Sequence, residues 1–142
     1  MYNILIVDDE KIERNGIKLL LKRMGINLGI IEAENGKDAY DYLMSDNNKG
    51  EGHVDILLTD VKMPFMDGLE LSEQVKKVLP ATKIMILSGY NEFDYAKMAI
   101  KIGVTDYLLK PISSEKLLDA VNKVAEEIRK EQSEKEQMNQ YA

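Results

Sequence analysis

Five polar residues, each at the end of a short apolar run, carry the most informative chemistry of this chain: Asp8, Asp9, Asp60, Ser88 and Lys110. Three carboxylates brought together repel one another and need a cation or raised pKa values. Oxygen ligands alone favour Mg²⁺, which usually works with a phosphate group. A lysine and a hydroxyl beside them suit a phosphoryl group, and an aspartate can itself be the nucleophile that forms an aspartyl phosphate.

Five short apolar runs must position these residues: Asn3–Val7, Ile30–Ala33, Asp55–Thr59, Lys83–Leu87 and Asp106–Leu109. Several are continuously apolar rather than alternating, which is typical of strands covered on both faces in a parallel sheet. Successive runs start 27, 25, 28 and 23 residues apart. Each gap therefore has room for one helix and two loops, as in a βαβ unit.

The gaps have the spacing of amphipathic helices. Ile17, Leu20, Leu21 and Met24 fall at i, i+3, i+4 and i+7, and Gly25 is a plausible stop. Four further helices are predicted: after Asn35-Gly36, across Leu71–Leu79 before Pro80, across Phe93–Ile102, and from Ser113 or Ser114 to Ile128. This βα order predicts an α/β fold with helices on both faces of an open sheet. Residues at the carboxyl ends of its strands meet at the edge where such sheets bind ligands.

The composition narrows the class of protein. The chain has 142 residues, a net charge of −6 and no cysteine, which fits one domain and excludes a disulfide framework or a thiolate metal site. The acidic balance argues against general binding of a nucleic-acid backbone by this chain alone. No apolar stretch approaches the ~18 residues of a membrane-spanning helix, so we expect no membrane association.

Two segments depart from the repeating pattern. Ser45–His53 is polar and glycine-rich, which predicts a surface loop. After Ile128 the helical spacing meets Glu131 and Lys135 instead of apolar residues. We therefore divide the chain into a domain over residues 1–128 and a charged helical linker or tail over residues 129–142.

Motifs in a fixed order give the chain a specific resemblance to the receiver domain of two-component response regulators. They are the acidic pair in ILIVDDE, Asp60 in LLTDVKMPFMDG, Ser88-Gly89 in MILSGY, Tyr107 in DYLLKP, and Lys110-Pro111. The resemblance covers essentially Met1 to Ile128. It implies a flavodoxin-like doubly wound (βα)5 fold with a parallel sheet of order 2-1-3-4-5.

The resemblance also implies roles for the acidic residues. Asp60 would accept a phosphoryl group from the phosphohistidine of a sensor histidine kinase. Asp9, Asp60 and the backbone carbonyl of Lys62 would ligate Mg²⁺ directly, and Asp8 would act largely through water. Lys110 would contact a phosphoryl oxygen.

A second group of residues is implied to transmit the signal. Ser88 would turn inward to bond the phosphate, and Tyr107 would change rotamer into the space released. The bond before Pro111 is expected to be cis, an isomer that is accessible mainly before proline. Phosphorylation would then shift a two-state equilibrium of the surface formed by the fourth helix, fifth strand and fifth helix.

The stretch SGYNEFDYAKMAIKIGVTDYLLKPI most resembles receivers of regulators with an AraC-type helix-turn-helix output domain. This implies a cytoplasmic regulator of transcription that contacts DNA only through an output domain absent from this chain. A homodimer on phosphorylation is a further expectation, and no enzymatic activity is expected beyond self-phosphorylation and slow dephosphorylation. The alternative is a single-domain or non-phosphorylated receiver that acts as a protein-interaction module.

Two enzyme-like or ligand-binding alternatives fit the motifs poorly. A haloacid-dehalogenase-type phosphatase needs Asp-x-Asp after the first strand, but Asp8 is followed by Asp9 and Glu10. A dinucleotide-binding module needs a glycine-rich turn at the same place, and DDEKIERNG lacks one.

The residues two positions after Asp60 and Ser88 give a hypothesis about phosphoryl lifetime. They are Lys62 and Tyr90, and they would flank the path of an attacking water. Neither is an acid or carboxamide that would orient that water, so we expect slow self-dephosphorylation.

Overall fold

Five parallel strands alternate with five α-helices in the computed structural model, which describes residues 2–89 and 93–141. The strands are β1 Tyr2–Val7, β2 Leu28–Ala33, β3 Ile56–Thr59, β4 Lys83–Ser88 and β5 Asp106–Leu109. The helices are α1 Lys11–Arg23, α2 Gly36–Leu43, α3 Gly68–Val78, α4 Phe93–Ile102 and α5 Ser114–Tyr141.

The strands form one sheet in the order β2-β1-β3-β4-β5, so the predicted doubly wound fold is confirmed. β1 lies between β2 and β3, and Val7 is in register with both Ala33 and Thr59. β2 begins at Leu28, two residues before the predicted start, because Leu28 and Gly29 continue the pairing with β1. The carboxyl ends of β1, β3, β4 and β5 therefore share one edge.

Alternate side chains of the central strands build two cores. Leu5 and Val7 of β1 point to the face covered by α2, α3 and α4. Ile4 and Ile6 point to the opposite face, which α1 and α5 cover. All four are at most 1% exposed, and burying each such side chain contributes roughly 1.5–3 kcal/mol. The continuous apolar runs thus follow from two-sided coverage.

Short polar side chains begin several helices. Asn35 accepts a hydrogen bond from the Asp38 N–H at the start of α2, and Asp67 does the same for two N–H groups of α3. Ser113, rather than Ser114, caps α5 by accepting from the Lys116 N–H at 3.2 Å.

The predicted surface loop Ser45–His53 is more ordered than its composition indicates. It contains two 3₁₀ turns, Asp46–Asn48 and Gly50–Gly52. Asn48 is only 6% exposed, because its side chain donates to the Leu43 carbonyl and accepts from the Val54 N–H. The buried amide therefore ties the end of α2 to the residues just before β3.

Helix α5 continues without a break past the point where its core packing ends. Ile128 is its last buried residue in the described part of the chain. Beyond it, Glu131 pairs with Lys83 at the start of β4 at 2.5 Å. The lysine side chain is 11% exposed and the glutamate 55%. Among the described residues, no helix is both long enough and apolar enough to cross a bilayer.

Replacing Glu131 with Gln removes the ion pair that ties the projecting part of α5 to the sheet. A partly exposed pair of this kind contributes up to about 1 kcal/mol. We expect amide hydrogen exchange over residues 129–138 to become about two- to five-fold faster. Glu134→Gln makes the same charge change in the exposed part of the helix and is the control. Equal exchange in both variants would show that the Lys83 contact does not anchor the segment.

Candidate functional site

Three carboxylates converge at the carboxyl edge of the sheet. Asp8 and Asp9 follow β1 and Asp60 follows β3, and the pairing of Val7 with Thr59 brings the two strand ends side by side. One carboxylate oxygen from each residue lies within 4.8 Å of the others. A donor set made only of oxygens on a half-open surface fits Mg²⁺. The structure thus brings the three predicted acids together.

Lys110 directly follows β5 and reaches into this cluster. Its Nζ lies 3.1 Å from Asp8 Oδ2 and 3.2 Å from Asp60 Oδ2, and it also donates to the Glu13 carboxylate of α1. Its backbone N–H donates to the Ser88 carbonyl at 2.8 Å. The Lys110–Pro111 peptide bond is cis. The lysine therefore links β1, β3 and α1 through one ammonium group.

The charges of the cluster shift one another's pKa values. Burial raises the pKa of Asp60, and the nearby Lys110 ammonium offsets only part of this effect. Burial lowers the pKa of Lys110, but the carboxylates of Glu13, Asp60 and Asp8 outweigh it and raise that pKa overall. The lysine is therefore charged at neutral pH and supplies a positive charge to the pocket.

The loop between β3 and α3 fixes the orientation of Asp60. The Val61 N–H donates to Asp60 Oδ1 at 2.7 Å, which leaves Oδ2 for Lys110. Gly68 closes the loop by donating its N–H to the Val61 carbonyl at 2.8 Å. A Cβ at Gly68 would lie 1.8 Å from the Asp60 carbonyl oxygen. Gly68 therefore packs directly against the backbone of Asp60.

The other predicted residues lie around this centre. Ser88 is the last residue of β4 and is fully buried. Tyr107 lies on β5 and packs against the core under α2, α3 and α4. The Lys62 side chain is exposed, and its Nζ lies 5.9 Å from the centre of the Tyr95 ring on α4. Tyr90 lies outside the described residues.

Comparison with known proteins identifies the family. The sequence model of the family described as "Response regulator receiver domain" matches residues 4–122. The chain belongs to the response regulator receiver domain family.

Individual relatives agree with this assignment of a two-component receiver domain. The transcriptional regulatory protein YesN of Bacillus subtilis is 37% identical over 132 residues, which is 92% of this chain and 34% of YesN. The chain therefore spans about a third of that relative.

Two crystal structures match closely. The receiver domain of AraT, a response regulator from Geobacillus stearothermophilus, has a TM-score of 0.77 at 37% identity, with 92% of this chain and 98% of that chain covered. A two-component transcriptional regulator AraC from Clostridium phytofermentans has a TM-score of 0.77 at 29% identity, with 94% and 99% covered.

Arg14 is a supporting residue of the receiver pocket that the sequence analysis missed. It is 6% exposed and donates to the Asp8 carbonyl at 2.6 Å and to Glu32 of β2 at 3.0 Å. This fixes α1 against the carboxyl ends of β1 and β2. The available signal was its position three residues before Ile17, on the apolar stripe of α1.

Gly68→Ala should destabilise the receiver domain because the added methyl overlaps the Asp60 carbonyl. Overpacking of this kind costs roughly 1–3 kcal/mol, measurable by urea unfolding. Gly16→Ala in α1 is the matched control, since a Cβ there meets nothing within 4 Å. It should stabilise the protein by about 0.5–1 kcal/mol. Equal effects at the two positions would contradict the close approach at Gly68.

Asp60→Asn should stabilise the metal-free protein at neutral pH. Because the pKa of Asp60 is raised in the folded state, stability is greatest below the unfolded-state pKa and is lost as the pH rises through the folded-state value. In chelator, the variant should have the larger free energy of unfolding at pH 7, and the difference should close below about pH 4. Asp46→Asn, with a side chain 99% exposed, is the control. A difference that is the same at both pH values would refute this.

Proposed function

We propose that this receiver domain is a phosphorylation-activated switch in which Asp60 accepts a phosphoryl group from a sensor histidine kinase. The observation that carries the proposal is the position of Lys110 Nζ, within 3.2 Å of both Asp8 Oδ2 and Asp60 Oδ2. A single ammonium group placed between the acids is ready to contact a phosphoryl oxygen on Asp60. The pairing also holds the acceptor carboxylate in one orientation before transfer.

The transfer needs few groups beyond those in the pocket. An Asp60 carboxylate oxygen attacks phosphorus, and the bond from phosphorus to the imidazole nitrogen of the kinase breaks, with its electron pair leaving on the histidine. Asp8, Asp9, Asp60 and the Lys62 carbonyl would hold Mg²⁺, which when bound supplies positive charge to the phosphoryl oxygens. Lys110 contacts the same oxygens. We propose no other reaction than this phosphorylation and its slow reversal by water.

Ser88 and Tyr107 are the residues we propose to respond. Ser88 ends β4 beside the pocket, and β4 is paired with β5, on which Tyr107 lies. A hydrogen bond from the Ser88 hydroxyl to the phosphoryl group would open space beside β5 that the Tyr107 ring can fill. The change would then reach the surface formed by α4, β5 and α5, because Tyr107 packs in the core that includes Ala99 of α4, and Leu108 packs in the core that α5 covers.

The wider role follows from the relatives. YesN is named as a transcriptional regulatory protein, and we propose that the domain over residues 1–128 controls transcription in the cytoplasm through an AraC-type output domain. DNA contact would belong to that output domain, and residues 129–142 would serve as the linker or as part of a phosphorylation-dependent homodimer. The exposed Lys62 side chain offers no acid or amide to orient water, which supports a slow loss of the phosphoryl group, with Tyr90 as the second flanking residue.

Phosphorylation is tested by incubating the chain with Mg²⁺ and acetyl phosphate and measuring its intact mass. The wild type should gain one phosphoryl group as acetate leaves, and both chelator and Asp60→Asn should abolish the gain. Asp67→Asn is the matched control near the pocket and should keep it. A folded wild type that gains no mass would overturn the proposal and favour a protein-interaction module.

A further inference from the structure

We propose that Glu13 is a positioning residue that competes with the incoming phosphoryl group for Lys110 and so restrains phosphorylation of the pocket. The inference rests on the proposed phosphorylation of Asp60. Of the described residues, three carboxylates accept hydrogen bonds from the Lys110 ammonium, and Glu13 is the one outside the aspartate cluster. The negative charge of Glu13 therefore acts on Lys110 without forming part of the candidate Mg²⁺ site.

The backbone that carries Glu13 is held in place by the next residue of α1. Arg14 is buried and binds both the Asp8 carbonyl and Glu32, so the first turn of α1 is fixed against β1 and β2. Glu13 precedes Arg14 directly and faces Lys110 across the gap between α1 and the loop after β5. The Glu13 side chain is 40% exposed and the Lys110 side chain 18%. The pair thus forms at a surface groove, where it can open without disturbing the core.

The competition becomes most direct when a cation occupies the aspartate cluster. Asp8 and Asp60 then have a second positive charge beside them, and their hold on Lys110 weakens. Glu13 is not in that cluster and keeps its attraction for the ammonium. Glu13 draws the ammonium towards α1, whereas a phosphoryl group on Asp60 draws it towards β3, so the two acceptors compete for its position.

An open surface groove of about 480 Å³ beside the pair gives the side chains room to exchange partners. Glu13 and Lys110 line it together with Ile17, Leu20 and Ile112. After transfer, Lys110 can bond the phosphoryl oxygens on Asp60 while the Glu13 carboxylate turns to solvent. The helix itself need not move, because Arg14 continues to hold it.

Glu13→Gln separates this contact from general electrostatics when it is compared with Glu10→Gln. Each variant removes one negative charge near the start of α1, Glu10 just before the helix and Glu13 in its first turn. Glu10 is close enough for Glu13 to be the largest cause of its raised pKa, yet its side chain is not among the described carboxylates that bind Lys110. Charge alone therefore predicts similar effects in the two variants, and the contact predicts an effect only at Glu13.

The experiment measures three quantities in wild type and both variants: the rate of mass gain from acetyl phosphate at saturating Mg²⁺, half-saturation by beryllofluoride, and half-saturation by Mg²⁺ followed by tyrosine fluorescence. We expect Glu13→Gln to raise the phosphorylation rate and to lower the half-saturating concentration of beryllofluoride, each about three- to ten-fold. This range corresponds to the free energy of one partly exposed charged hydrogen bond. Mg²⁺ should bind it no more tightly than wild type, because Lys110 then rests more fully on Asp8 and Asp60. Glu10→Gln should stay within two-fold of wild type throughout.

Equal changes in the two variants, or a Glu13→Gln protein that is no faster than wild type, would overturn the inference. Urea unfolding of each variant checks that the rate change does not come from lost stability, and a faster protein cannot be explained by unfolding. If the wild type itself gains no phosphoryl group, the proposed function fails first. If it is phosphorylated normally and only the Glu13 effect is missing, the inference alone fails.

Discussion

The mutual repulsion of Asp8, Asp9 and Asp60 is the constraint around which this edge of the sheet is built. Parallel pairing of β1 with β3 forces the acids together, and burial makes the ionised form of Asp60 costly. Lys110 compensates by placing one ammonium between them. Under the proposed function, a bound cation would neutralise the aspartates and leave the lysine to contact the phosphoryl oxygens. Lys110 would then serve both the stability of the metal-free pocket and its phosphorylation.

The remainder of the fold keeps these charged groups in fixed positions relative to one another. The two cores fix the sheet from both sides, so the strand ends cannot shift relative to one another. The Val61 N–H binds one carboxylate oxygen of Asp60, and Gly68 lets α3 approach the Asp60 carbonyl closely enough to close the loop. Arg14 holds α1 in place by donating to the Asp8 carbonyl. Backbone groups rather than further side chains therefore set most of the site's geometry.

The sequence predicted the strands and the acids because both depend on local patterns. Two-sided burial gives continuous apolar runs, and a strand that ends in Asp or Lys places that residue at the shared edge of the sheet. What it missed depends on contacts between distant segments. Nothing local distinguishes the close approach at Gly68 from an ordinary Asp-Gly turn, or places Phe65 in the left-handed region at φ 72°. From the sequence, Arg14 is an ordinary polar residue of a helix and Asn48 an ordinary polar residue of a loop. Only their tertiary contacts explain why both are buried.

The most direct test of this account is the free energy of urea unfolding of Lys110→Met, measured with chelator and with Mg²⁺ beside wild type. Removing the ammonium should lower stability in chelator, where Asp8 and Asp60 lose the positive charge that bonds both of them. Mg²⁺ should then restore more stability to the variant than it adds to wild type, because no lysine competes for the same oxygens. If Mg²⁺ stabilises both proteins equally, or if the variant is as stable as wild type in chelator, Lys110 does not balance the cluster and the account is contradicted.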